Sequence, residues 1–184
     1  PGMSGNAWVT TDVALLIARS ERLTHSQQAR VHPLLVDAFH YLQKQVAEQV
    51  TEMKRTEHKL NTTLVPSEMQ LRYLYLRTLM QQKPDADARY LLQRAATMRH
   101  QLTMYGKALT AIVLSEAGYN DEAKLSMKSL LEHTVIHPNM GRYFDTPRAE
   151  WSWRSYRIPT QCAAIEALHY FGNDAAANEL RLWL

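Results

Sequence analysis

Apolar side chains recur along this chain at intervals of three and four, and polar or turn-forming stretches interrupt them. That spacing places each apolar set on one face of a helix. After an opening rich in turn-formers (Pro1, Gly2, Ser4, Gly5, Asn6), Thr10 or Thr11 is expected to cap a helix over Asp12–Leu23. Its buried face should carry Val13, Leu16, Ile17 and Leu23. Residues 31 to about 55 read as a longer helix with Leu34, Leu35, Ala38, Leu42, Val46 and Val50 inside. Its C-terminal part (Glu48, Gln49, Glu52, Lys54, Arg55) is polar and should project into solvent. A polar loop follows to Pro66. Ser67 then opens a helix with Leu71, Leu74, Tyr75 and Leu79 on one face, closed before Pro84. Asp85 or Asp87 should cap a helix running to about Arg99. Tyr105, Ala108, Leu109, Ile112 and Val113 mark another, stopped at Gly118 by a left-handed turn. Asn120 or Asp121 caps the next, with Ala123, Met127, Leu130 and Leu131 inside. Residues 158–170 and 174–184 complete the series, with Gly172 between them.

About eight helices joined mostly by short loops predict an all-α fold. Six glycines and no alternating apolar–polar run argue against a sheet protein. No exact internal repeat is present, although Tyr119-Asn120-Asp121-Glu122-Ala123 has the look of a repeat junction. The length, 184 residues, fits a single helical domain able to bury most of its apolar surface. The chain begins at Pro1 and stops at Leu184 inside a helical pattern, which suggests a fragment of a larger multidomain protein. Charge is nearly balanced, +3 from 21 basic and 18 acidic residues, short of the clustered charge of a nucleic-acid protein. No apolar run approaches the ~20 residues of a membrane span. A lone cysteine, Cys162, cannot form an internal disulfide.

One stretch departs from helical patterning. Residues 141–157 hold Tyr143, Phe144, Trp151, Trp153 and Tyr156, five of the chain's 16 aromatic residues, among Arg142, Arg148, Arg154 and Arg157. Arginines interleaved with aromatics can stack bases and bind phosphates, but the balanced charge favours a loop packed across helix ends. On that view Trp151 and Trp153 fix the loop and contact no ligand. Asp145 and Glu150 beside the two Trp could form a carboxylate pair for sugar chemistry, although the neighbouring arginines explain them equally as ion-pair partners. His133 and His137, four apart at a helix end, could share a face and hold a metal atom. No third ligand lies nearby, and positive charge at a helix C-terminus is favourable on its own. Cys162, in line with Ile165 and Leu168, reads as a buried, inert thiol. There is no nucleophile elbow and no glycine-rich phosphate loop. No catalytic, cofactor-binding or metal-binding residue is therefore assigned.

The order of several segments is more specific than any of them alone. Asn6-Ala7-Trp8-Val9-Thr10-Thr11-Asp12-Val13 resembles the Trp-x-Thr-(Ala/Thr) helix start of the thioester-containing domain of the alpha-2-macroglobulin family. Tyr105-Gly106-Lys107-Ala108-Leu109-Thr110-Ala111, with Leu114 and Gly118, is similar to that domain's Ala-Leu helix, and residues 122–133 to the Ala-Lys-rich helix after it. Gly141-Arg142-Tyr143-Phe144 with downstream Trp151 and Trp153 resembles the family's Gly-x-Tyr-Trp segment. Ile158-Pro159-Thr160-Gln161-Cys162-Ala163-Ala164-Ile165-Glu166-Ala167-Leu168 is similar to its Glu-x-Thr-(Ser/Ala)-Tyr-Ala-Leu-Leu-Ala-Leu helix, and residues 177–184 resemble the helix carrying Arg-Trp-Leu. Residues 25–66 match poorly, and the bacterial branch of large envelope proteins lies nearest in pattern.

The resemblance implies an α/α toroid of helical hairpins, here an incomplete ring. It implies a periplasmic or envelope-associated parent that traps or inhibits endopeptidases, with the other domains of that parent, and proteases, as partners. It implies no enzyme activity, no cofactor and no membrane contact in this segment. The reactive Cys-x-x-Gln motif of the family would lie upstream of Pro1; Cys162 is followed three residues on by Ile165 and is not that cysteine. His58 is the one histidine near the position of the family's assisting histidine, but the loop spacing differs and the role is not carried over. Two other readings stay open: a glycan-processing toroid enzyme and a helical-repeat adaptor for proteins.

Overall fold

The computed structural model describes residues 6–26, 29–145 and 157–184. Among them are eight α-helices: α1 (Ala7–Thr24), α2 (His32–Leu60), α3 (Glu68–Leu79), α4 (Ala86–Thr97), α5 (Met104–Glu116), α6 (Asn120–Glu132), α7 (Arg157–Tyr170) and α8 (Asp174–Trp183). One antiparallel hairpin, β1 (Thr134–His137) and β2 (Gly141–Phe144), lies between α6 and α7. The fold is all-α apart from that hairpin. The chain gathers into two compact units, residues 1–94 and 95–184, each described by itself.

In the first unit, α1, α2 and α3 pack on one another. Helix α1 starts a turn earlier than the threonines suggest, because the Asn6 side chain accepts from the amides of Trp8 and Val9. Thr11 is then interior: its hydroxyl donates to the Ala7 carbonyl, 2.7 Å, and lies 3.1 Å from Met69 Sδ. The face of α1 that is buried is Thr11, Ala14, Leu15 and Ala18. Val13, Leu16 and Leu23, expected inside, are exposed. Leu15 and the small Thr11, Ala14 and Ala18 fill the contact with α2 and α3, and the row of Val13, Leu16 and Leu23 is left on the opposite side. Helix α2 buries Leu35, Phe39, Leu42, Val46, Val50 and Met53, while Leu34 is exposed. It continues to Leu60, beyond the expected end, and stops at Asn61 in a left-handed turn.

Helix α3 opens on a capping box between Ser67 and Gln70 and is buried around most of its circumference. Phe39 and Tyr73 stack with ring centroids 5.7 Å apart. The Arg77 guanidinium lies over both rings, gives a hydrogen bond to the Tyr73 hydroxyl and pairs with Asp85 at 2.7 Å. Asp85 also caps α4 by accepting from the Ala88 amide. Burial opposes ionisation at Asp85, but the Ala88 amide, Gln43 and Arg77 outweigh it and hold the carboxyl below its usual range.

In the second unit α5 is the central element, buried from Met104 through Leu114 and packed on α6 and α7. Thr103 caps it, and Gly118, at φ +88°, provides the left-handed stop that the sequence indicates. Helix α7 turns Thr160, Gln161, Ala163, Ala164, Ala167 and Leu168 inward. Cys162, expected to be buried, is exposed, because the face packed inward runs through Gln161, Ala164 and Leu168 on another side of the helix. The hairpin is the element that helical patterning did not anticipate. Thr134, Val135 and Ile136 are β-branched in succession, which disfavours continuation of α6 and suits a strand. The pairing sets Val135 opposite Tyr143 and Ile136 opposite Arg142.

Gly141 fits where no other residue does. Its φ is +73°, and an added Cβ would run into the Glu179 carbonyl oxygen and come within 2.8 Å of Leu182 Cβ. Gly141→Ala is expected to cost at least ~2 kcal/mol, read as a lowered midpoint in urea unfolding; an unchanged midpoint would contradict the close packing of β2 on α8. Conversely, the Thr160 hydroxyl is fully buried and has no hydrogen-bond partner among the described residues. Thr160→Val should therefore raise stability by about 1 kcal/mol in the same assay.

Candidate functional site

A dense polar cluster is built where the end of α2 meets the middle of α4. Tyr90 and Arg94 are four apart on α4 and so present side by side, one turn from each other. Glu57 reaches them from the last turns of α2, its side chain only 10% exposed. Arg94 binds it in a fork, Nε to Oε1 at 3.0 Å and Nη2 to Oε2 at 2.8 Å. The Tyr90 hydroxyl donates to Oε2 at 2.6 Å, and the Leu64 amide donates to Oε1 at 2.7 Å. Tyr90 also carries two cations near its ring, Arg94 and Lys54, each 4.8 Å from the centroid, and Lys54 pairs with Asp87. His58, Asn61 and Thr62 complete the rim of a shallow pocket beside this cluster.

Arg94 is the chief cause, with Tyr90 and the Leu64 amide adding to it against burial, of a Glu57 pKa lowered from 4.5 to about 2. A carboxylate so stabilised and supplied with four donors is a poor general base and cannot serve as a general acid near neutrality. Its work is mechanical. It ties the loop after α2 to α4, and so sets the path of residues 61–67 into the capping box of α3. Glu57 does not stand out in the sequence because it falls in the stretch before Pro66 that reads as a polar loop, whereas the helix continues to Leu60. The usable signal was the Tyr90/Arg94 spacing on α4.

The residues singled out by sequence do not converge. His133 ends α6, its Nδ1 2.7 Å from the Ser129 carbonyl, whereas His137 lies in β1. They therefore do not share a helix face as the four-residue spacing suggested. Among the described residues no three His, Cys, Asp or Glu side chains are placed to hold a metal ion. Asp145 is exposed, and Arg142 is committed to Glu179 and Thr134 at 2.8 and 2.7 Å. Glu150, Trp151 and Trp153, with Arg148 and Arg154, lie outside the described residues. His58 is exposed on the rim of the Glu57 pocket. Buried Lys107 of α5 donates to the Ser129 hydroxyl at 2.8 Å, and Gln161 of α7 donates to the carbonyls of Arg142 and Leu180. Both are polar links inside the second unit that patterning alone did not mark.

None of the described helices is long and apolar enough to cross a membrane. No family model matches the chain, and no curated protein or solved structure matches it.

Because the Glu57 carboxyl falls from 4.5 to about 2, its stabilising contribution is complete above pH 4.5 and is lost as pH drops towards 2. The difference corresponds to about 3 kcal/mol. Urea unfolding of the wild type and Glu57→Gln at pH 7 and at pH 2.5 should show a stability gap that shrinks by most of that amount. A gap that does not change with pH would remove Glu57 from this role.

Proposed function

We propose that the chain is a non-catalytic helical segment of an alpha-2-macroglobulin-like envelope protein, with a part in endopeptidase inhibition or protease trapping. The support is the placement of the quoted segments on regular elements in the order the family has them. Trp8–Val13 lies in the first turns of α1, Tyr105–Ala111 in α5, Ile158–Leu168 in α7, and Ala177–Trp183 in α8. The packing of α5 on α6 and of α7 on α8, each with its neighbour in sequence, supports helical hairpins, the unit of which an α/α toroid is made. The non-catalytic part of the reading rests on one observation above the others. The most strongly perturbed acid among the described groups, Glu57, is ionised and fully occupied by fixed donors, and so has no proton to give or capacity to take one.

An adaptor role is the second reading, favoured by the exposed apolar row of α1. The two readings part company in a substrate-size assay. The full-length parent, incubated with an endopeptidase, is expected to suppress cleavage of a large protein substrate while a small chromogenic peptide is still cut. Equal cleavage of both substrates with and without the parent would overturn the trapping role.

A further inference from the structure

We draw no further inference here: the strongest candidate, the exposed apolar row of Val9, Val13, Leu16 and Leu23 along the outer side of α1, is an unpartnered helix face, and nothing in the structure shows what covers it.

Discussion

The described structure depends on one constraint: two helices, α3 and α5, are buried around most of their circumference, so every polar group they carry must be dealt with in place. A buried polar atom without a partner costs on the order of 1–3 kcal/mol. On α3 this is handled by Arg77, whose guanidinium covers the Phe39 and Tyr73 rings while it hydrogen-bonds the Tyr73 hydroxyl and pairs with Asp85. On α5 it is handled by Lys107 with Ser129. The constraint is met incompletely. The Arg77 Nε on α3 and the Thr110 hydroxyl on α5 are buried without partners among the described residues, as are the hydroxyls of Ser126 on α6 and Thr160 on α7. Most of these atoms belong to neutral hydroxyls, and neutral groups are the cheaper ones to leave so.

Glu57 shows how such a constraint serves organisation rather than chemistry. Its fixed donors come from two places, the side chains of α4 and the backbone of the loop before α3. A group that accepts from both joins them, and the joining is strongest while the carboxylate is charged. The same saturation that depresses its pKa removes it from acid–base work. Low pKa and functional silence therefore have one cause here. Gln161 plays the uncharged counterpart in the second unit, donating to the carbonyls of Arg142 and Leu180 and so holding β2 and α8 together.

Most of the helices could be read from the sequence because their determinants are local. Ser67 with Gln70, Thr103, Gly118 and the Pro84-Asp85 junction fix the ends of elements by capping geometry that needs no tertiary partner. The hairpin was not legible in this way. A β-branched triplet at residues 134–136 is too short a signal beside a helix, and His133 and His137 were consequently given one helix face. Nor was the engagement of Glu57 legible, since it falls in an apparent polar loop and finds Arg94 across 37 residues of sequence.

The sequence by itself determined that this is a chain of amphipathic helices, and roughly where each begins and ends, because helix periodicity and capping act over a few residues. Only the tertiary structure decided which apolar side of a helix is inside. In α1 both sides are apolar, and Thr11, Ala14, Leu15 and Ala18 went inward against α2 and α3, leaving Val13, Leu16 and Leu23 outside. In α7 Gln161, Ala163, Ala164, Ala167 and Leu168 are inward and Cys162 outward. Hydrophobicity says that a face can be buried. Fit against a particular neighbour decides which one is, and that information is not carried by the helix alone.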